Sequence, residues 1–302
     1  MSPLIQFKKR PHVDRWLDGF VPSEGLENDA RTGDMTGLGH ILQPNTIDTT
    51  HGDILYIEGL TVRFDGFRAI NQLNLYIRAG ELRCVIGPNG AGKTTLMDVI
   101  TGKTGPRNAS VEGRVFLGQT IDLLSQRESQ IAQLGIGRKF QKPTVFEAFS
   151  VWQNLAMAQK GERGWIHSLR HRSDQALETS LDETLARIKL QPQAHQLAGS
   201  LSHGQKQRLE IGMLLMQKPE LLLLDEPAAG MTDEETVELA ELLNSLRGTC
   251  SMMVVEHDMT FVEALAGESG TVTVLAEGAV LAEGTLAKVK SDPAVIESYL
   301  GR

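Results

Sequence analysis

Cysteine is scarce in this chain, and long apolar runs are missing. The 302 residues include only two cysteines, Cys84 and Cys250, which are too few for a disulfide framework or a zinc site. No apolar run reaches the ~18–20 residues that cross a bilayer. The basic residues 8–10 are not followed by the apolar core of a secretory signal. These absences predict a reduced, soluble, cytoplasmic protein with no membrane span of its own.

An excess of positive charge is also missing. Thirty Lys and Arg stand against 38 Asp and Glu, which gives a formal net charge of −8. Proteins that bind nucleic acid normally carry a basic footprint, and no basic stripe is visible here, so nucleic acid is not an expected partner. Aromatic residues are few, but a hydrophobic content of 41% is enough for a sizeable core.

The regular part of the chain is expected to begin after residue 50. Residues 1–50 sustain neither a helical nor an alternating apolar pattern, so a poorly ordered extension is predicted there. From residue 53 onward strands and helices alternate, which predicts an α/β fold with a mainly parallel sheet and small antiparallel pieces at its start and end. The segment of about 145–217 is predicted to be mostly helical, and strands are predicted at 54–57, 60–64, 73–77, 81–86, 221–225 and 252–256.

A phosphate-binding motif follows the strand predicted at 81–86. The sequence fits the pattern G-x-x-x-x-G-K-[ST] between a β-branched strand and a helix. Glycines in such a loop let backbone N–H groups surround phosphate oxygens, and the helix N-terminus favours negative charge. Lys93 is expected to reach the β- and γ-phosphates, and the Thr94 hydroxyl to ligate Mg²⁺. The predicted nucleotide-binding residues here are Gly87, Pro88, Asn89, Gly90, Ala91, Gly92, Lys93, Thr94 and Thr95.

An acidic pair supplies the second half of such a site. Asp225 and Glu226 follow four leucines at 221–224, so their carboxylates are expected where a buried strand ends beside the phosphate loop. Asp225 is predicted to hold Mg²⁺ through water, and Glu226 to polarise the attacking water. Together with the phosphate loop, the pair predicts a nucleoside triphosphatase.

The segment Leu201-Ser202-His203-Gly204-Gln205 indicates which kind of nucleoside triphosphatase this is. It resembles the L-S-G-G-Q signature of the ATP-binding cassette family, with His203 in place of the first glycine. Ser202 and Gln205 also form a capping-box pattern that opens a helix. The resemblance implies a P-loop cassette fold over 51–302, with a mainly parallel core sheet, an antiparallel β subdomain and a helical signature subdomain. It also implies that Ser202, Gly204 and Gln205 bind the γ-phosphate of ATP held by another subunit, in a head-to-tail dimer.

Further positions fall in the order of the family's motifs. Gln141 resembles the glutamine that touches Mg²⁺ and the attacking water, and His257 resembles the histidine that contacts the γ-phosphate. Phe64 resembles the aromatic residue that stacks on adenine, with Phe67 as its competitor. Thr232 departs from the pattern because it stands where many members have an aspartate. With Glu235 it forms a capping-box pattern that predicts a helix over 233–246.

The resemblance covers about residues 53–302 and is closest to the ATPases of branched-chain amino acid and urea importers. The segments 82–86, 138–147, 209–216 and 231–236 look closer to the urea-importing members, and branched-chain amino acids are the alternative solute. A soluble cassette ATPase that acts on DNA or ribosomes is a remote alternative, because this chain has one P-loop and no coiled-coil arm.

Several partners are implied by this resemblance. They are a second cassette, identical or different, two membrane permease subunits and, indirectly, a periplasmic or extracellular solute-binding protein. Residues after Gln141, with Phe146, Phe149 and Trp152, are expected to contact a permease. The expected location is peripheral, on the cytoplasmic face of the plasma membrane.

Overall fold

The computed structural model describes residues 47–50, 52–140, 144–159 and 175–300. For residues 299 and 300 it describes the backbone alone. The predicted extension therefore lies outside the described residues except for its end. There, Ile47 packs against the apolar core, and the carbonyl of the buried Asp48 accepts a hydrogen bond from the Gln119 backbone N–H at 3.1 Å. These last residues of the segment are in contact with the sheet that follows.

In the part of the chain that the structure describes, the strands form two sheets. A four-stranded antiparallel sheet has the order β2-β1-β4-β5, and a six-stranded sheet has the order β10-β9-β3-β8-β7-β6. In the second sheet all neighbouring strands are parallel except the β9–β10 pair. The strands are β1 (Asp53–Phe64), β2 (Phe67–Arg78), β3 (Leu82–Ile86), β4 (Ser110–Leu117), β5 (Ile121–Asp122), β6 (Ile136–Lys139), β7 (Leu221–Asp225), β8 (Ser251–Val255), β9 (Thr271–Ala276) and β10 (Ala279–Thr285).

The first hairpin corrects one expectation. Separate strands at 54–57 and 60–64 were wrong, because β1 runs through both segments. Gly59 has φ +58° and lies where the pairing register shifts between Ile57 and Leu60. A glycine there accommodates a β-bulge that bends the strand without reversing it. The reversal comes at residues 65–66, which both have positive φ, as in a two-residue hairpin turn.

Two apolar clusters cover the opposite faces of the parallel sheet. Leu222 and Leu224 belong to one cluster, whereas Leu221 and Leu223 belong to the other. Successive side chains of a strand point to opposite faces, so β7 must be apolar on both. This explains the uninterrupted leucine run, which is typical of a strand buried between two layers.

The helices are α1 (Lys93–Ile100), α2 (Glu128–Gln133), α3 (Val151–Ala158), α4 (Gln175–Arg187), α5 (His203–Leu215), α6 (Asp233–Ser245), α7 (Met259–Ala266), α8 (Leu286–Lys290) and α9 (Pro293–Leu300). Helices α3, α4 and α5 pack together in the segment predicted to be helical. The predicted α/β class, with a mainly parallel sheet, an antiparallel sheet and a helical segment, is confirmed. Among the residues described, no helix combines the length and the apolar character that a bilayer span requires.

Candidate active site

The topology of the parallel sheet brings the predicted catalytic residues to one edge. The phosphate loop follows β3, His257 follows β8, and Asp225 ends β7, and these three strands are neighbours in the order β3-β8-β7. The carboxyl ends of parallel strands meet at the same edge of a sheet, where open α/β folds bind their ligands. Gln141 would follow β6, the next strand along, but it lies outside the described residues.

The phosphate loop depends on glycine at its end. Gly90 and Gly92 have φ +82° and +97°, a region that other residues rarely adopt. A Cβ on Gly92 would lie 2.7 Å from the Ala69 carbonyl oxygen, so close approach of the backbone also requires glycine here. Gly92 is the N-cap of α1, and Thr94, in the first turn, is exposed. The loop thus presents a helix N-terminus and an exposed hydroxyl to an anion.

Lys93 is already folded into the loop. Its Nζ donates hydrogen bonds to the carbonyls of Gly87 at 2.6 Å and Pro88 at 3.0 Å, and only 9% of the residue is exposed. Burial lowers the pKa of Lys93, and the negative charges of Glu226 and Asp225 oppose that shift. A phosphate placed in the loop would add a negative charge beside a partly desolvated ammonium group, which favours binding.

Asp225 is buried and paired. Its Oδ2 lies 3.3 Å from Nη2 of Arg138, whose guanidinium also pairs with Asp98 and lies 4.9 Å from the Phe140 ring centre. Burial raises the pKa of Asp225, while Arg138 opposes this shift. No role was predicted for Arg138, since only the parallel pairing of β6 with β7 brings it to this carboxylate.

Glu226 and His257 face each other across the strand ends. Glu226 has φ +46°, and its backbone N–H donates to the Val255 carbonyl at 2.9 Å. Its Oε1 lies 3.6 Å from Nδ1 of His257, whose side chain is 60% exposed. A carboxylate and an imidazole therefore stand together at the open edge of the sheet.

Glu256 is a residue that sequence analysis missed. It is 1% exposed, and its two carboxylate oxygens accept the backbone N–H groups of Ala228 at 3.1 Å and His257 at 3.0 Å. Burial raises the pKa of Glu256, and these hydrogen bonds oppose the shift. Glu256 joins the loop after Glu226 to the loop that carries His257. A charged residue at the end of an apolar strand was the signal that could have identified it.

The signature residues lie at the start of α5. Ser202 caps α5, and the predicted capping box with Gln205 is confirmed. The Ser202 hydroxyl donates to Oε1 of Glu235 at 2.8 Å, and Nε2 of His203 lies 3.1 Å from the Ala229 carbonyl oxygen. Ser202 and Gly204 therefore lie against the first turn of α6, and His203 adjoins the loop before it. Thr232 caps α6 in its own confirmed capping box with Glu235.

The two candidate adenine-stacking residues differ in exposure. Phe64 and Phe67 are paired across the first hairpin turn. Phe64 is partly buried against the core, whereas Phe67 is 69% exposed. Both assignments stay predictions.

The donor set of the strand-end site suits a magnesium-bound nucleoside triphosphate. Within the described part of the chain, no group of three or more His, Cys, Asp or Glu is placed to enclose a metal ion. Mg²⁺ in nucleotide sites needs few protein ligands, because phosphates and water supply most of its oxygens. The exposed hydroxyl of Thr94 and the carboxylate of Asp225 fit this sparse coordination.

Comparison with known proteins identifies the class. Residues 70–229 match the family model described as ABC transporter, and residues 279–302 match the one described as branched-chain amino acid ATP-binding cassette transporter. The high-affinity branched-chain amino acid transport ATP-binding protein LivG of Escherichia coli is 36% identical, covering 82% of this chain and 98% of that protein. BraF of Pseudomonas aeruginosa, with the same description, is 34% identical over the same shares.

Solved structures agree with this class. An ATP-binding cassette of an ABC transporter in its ADP conformation superposes with a TM-score of 0.69 at 29% identity, covering 83% of this chain and 99% of that one. A nucleotide-free cassette superposes with a TM-score of 0.68 at 27% identity, covering 83% of this chain and 100% of that one. The chain therefore belongs to the ABC transporter family, as an ATP-binding and ATP-hydrolysing subunit of the branched-chain amino acid importer class.

Proposed function

We propose that this chain hydrolyses Mg²⁺-bound ATP between its own phosphate loop and the signature motif of a second cassette, and so drives solute uptake through two permease subunits. The observation that carries the proposal is the convergence of Lys93, Asp225, Glu226 and His257 on one sheet edge, while Ser202 lies against the first turn of α6. One chain thus holds two complementary half-sites.

Each residue at the sheet edge has a distinct role in this proposal. Lys93 exchanges its two carbonyl partners for phosphate oxygens and offsets their charge. Thr94 and Asp225 would hold Mg²⁺, which would supply positive charge to the phosphates, with Gln141 as a further predicted ligand. Glu226 orients the attacking water and accepts its proton, and His257, 3.6 Å away, contacts the γ-phosphate.

The partner cassette completes the site. The N-terminus of α5, with Ser202, Gly204 and Gln205, offers N–H and hydroxyl donors suited to a γ-phosphate. A second copy or a different cassette then closes over the nucleotide in a head-to-tail pair, which ATP stabilises and hydrolysis loosens.

A permease would dock on the exposed aromatic residues that precede α3. Phe146 and Phe149 are 50% and 39% exposed, and their ring centres lie 6.1 Å apart, so they form an apolar surface for a membrane subunit. Trp152 instead packs partly against the core. In this proposal the subunit is peripheral on the cytoplasmic face of the membrane, and a solute-binding protein acts on the other side.

The solute is proposed to be urea. An ATPase subunit does not contact the transported molecule, so the support comes from the resemblance of segments 82–86, 138–147, 209–216 and 231–236 to urea-importing members. Branched-chain amino acids are the second candidate, and the descriptions of the relatives at 34–36% identity favour them.

Uptake by a deletion strain tests both the transported solute and the proposed role of ATP hydrolysis. Deleting the gene should abolish high-affinity urea uptake and spare leucine uptake. The wild-type gene and the control Glu241→Gln, in the exposed pair with Lys189, should restore urea uptake. Glu226→Gln should fail, since loss of a positioned base slows hydrolysis by roughly 10²–10⁴-fold.

Other outcomes would contradict specific parts of the proposal. Loss of leucine uptake with urea uptake intact would assign the chain to branched-chain amino acids. Full uptake with Glu226→Gln would remove Glu226 as the base. If neither uptake depended on the gene, an importer of either solute would be excluded.

A further inference from the structure

The donors of the signature motif are occupied by a carboxylate of the same chain. Glu235 lies at the third position of α6, and its Oε1 accepts the Ser202 hydroxyl at 2.8 Å. The backbone N–H of Thr232 also donates to this carboxylate at 3.2 Å, and the backbone N–H of Gly204 lowers its pKa. A Cβ on Gly204 would lie 2.4 Å from the carboxyl carbon of Glu235, so the carboxylate lies directly on the first turn of α5.

Two of these three donors are the ones that the proposed function assigns to a nucleotide. Ser202 and Gly204 are expected to bind the γ-phosphate of ATP held by a partner cassette. Each has a single hydrogen to donate, and in the free chain both residues lie against the Glu235 carboxylate. A phosphate and this carboxylate cannot share the donors, because each donor hydrogen serves one acceptor well and like charges at this distance repel.

We propose that Glu235 is an internal anion that masks the signature motif in the free subunit and has to leave it when the γ-phosphate of a partner-bound nucleotide docks. This inference rests on the proposed head-to-tail pair. The hydroxyl, the helix N-terminus and the ionised carboxylate satisfy one another in the free chain. Ser202, Gly204 and Thr232 hold the pKa of Glu235 below its usual range against the opposite effect of burial, so the mask is charged at neutral pH.

Closing the pair therefore includes a step in which Glu235 releases Ser202. The contact couples the signature motif to α6 and to the loop of residues 228–231 that precedes it. Removing the charge while keeping the side-chain shape should make closure easier. Glu235→Gln does this, and it keeps the capping box of α6, because glutamine serves at that position as well as glutamate.

The matched control is Glu234→Gln. Glu234 is the preceding residue in the first turn of α6, is exposed, and its replacement makes the same change in net charge and in helix–dipole interaction. Each substitution is combined with Glu226→Gln, which prevents hydrolysis, and ATP-dependent association of two copies is followed by size-exclusion chromatography with light scattering. Binding of a fluorescent ATP analogue to the monomer reports on the phosphate loop alone and should be equal in all three proteins.

The expected result is half-association of the Glu235→Gln protein at a roughly three- to tenfold lower concentration, since a pair of two copies contains two masked sites. The Glu234→Gln protein should match Glu226→Gln alone. If all three proteins associate equally, the masking role of Glu235 is wrong, whereas the proposed pairing of two cassettes is supported. If Glu235→Gln associates less well, the residue supports closure rather than opposing it, and the inference is overturned.

If no variant associates, the result counts against pairing of two copies. A measurement on the monomer then still tests whether Glu235 masks the signature motif. Both native cysteines are buried, so Ser202→Cys provides one exposed thiol. Glu235→Gln should speed its reaction with an anionic thiol reagent several-fold and leave reaction with a cationic reagent unaccelerated. Equal effects on both reagents, or none, would show that Glu235 does not repel anions from the signature motif.

Discussion

Glu226 is held in a left-handed backbone conformation, with φ +46°. That region costs a residue with a Cβ about 1 kcal/mol or more, yet it directs the carboxylate toward His257. Such backbone strain lowers the stability of the fold, but it fixes the position of a functional side chain.

A glycine substitution should reveal that strain. Glu226→Gly and Glu226→Ala both remove the carboxylate and should both be inactive in ATP hydrolysis. Glu226→Gly should have the higher free energy of unfolding, by about 1 kcal/mol, because glycine adopts positive φ without the steric cost. Denaturant unfolding of the two proteins makes the comparison, and a more stable alanine variant would show that the backbone at this position is relaxed.

Individual residues differ in how far the sequence reveals them. Lys93 and Asp225 belong to patterns whose spacing encodes their chemistry, so the sequence alone assigns their roles. Arg138 and Glu256 belong to no such pattern, and the capping box that contains Glu235 does not reveal its contact with Ser202. Their contacts depend on which strands are neighbours and on which loop faces the start of α5, and neither is visible in spacing along the chain.

At the scale of elements, a buried ion pair joins β6 to α5. Lys139 is fully buried, and its Nζ donates to the Phe140 carbonyl at 2.8 Å and lies 3.7 Å from Oε2 of Glu210. The other oxygen of Glu210 accepts the backbone N–H of Thr144 at 3.2 Å. Burial lowers the pKa of Lys139 and raises that of Glu210, and each charge opposes the shift of the other.

Breaking this pair should be costly. Lys139→Met leaves the Glu210 carboxylate buried without its cation, which should lower the free energy of unfolding by about 3–5 kcal/mol. The double variant Lys139→Met/Glu210→Met should regain a large part of the loss. As a control, Lys189→Met breaks the exposed Lys189–Glu241 pair and should change stability by about 1 kcal/mol or less.

The same comparison has a defined pH dependence. A buried carboxyl whose pKa is raised stabilises the fold below its unfolded pKa, near 4.5 for glutamate, and this contribution is lost as pH rises through the folded value. The loss caused by Lys139→Met should therefore be smaller at pH 5 than at pH 8, as measured by chemical denaturation at both values. A loss independent of pH would mean that Glu210 stays ionised in the fold without its partner.

Helices and strands were predictable where an apolar run or a capping pattern is compatible with a single type of element. The buried leucines of β7 and the capping boxes at Ser202 and Thr232 marked their elements close to the observed bounds. The break predicted between 54–57 and 60–64 was wrong, because a glycine such as Gly59 does not by itself distinguish a bulge within a strand from the end of a strand.

At the scale of the whole molecule, the proposed function gives one chain the two halves of an ATP site on different elements. The phosphate loop, Asp225 and Glu226 lie at the carboxyl edge of the parallel sheet, whereas Ser202 hydrogen-bonds to Glu235 of its own chain. In the proposed pair, each nucleotide therefore takes one half-site from each chain.

This separation has a genetic consequence. A Lys93→Ala subunit has a damaged phosphate loop and an intact signature motif, and a Ser202→Arg subunit has the reverse. When two copies pair, a mixed pair places both defects in one site and leaves the other site wild-type. The two loss-of-function alleles, each inactive when expressed alone, should then complement each other and restore ATPase activity in the mixed fraction, whereas Lys93→Ala co-expressed with Glu226→Gln, two defects of the same half-site, should leave every pair with both sites damaged.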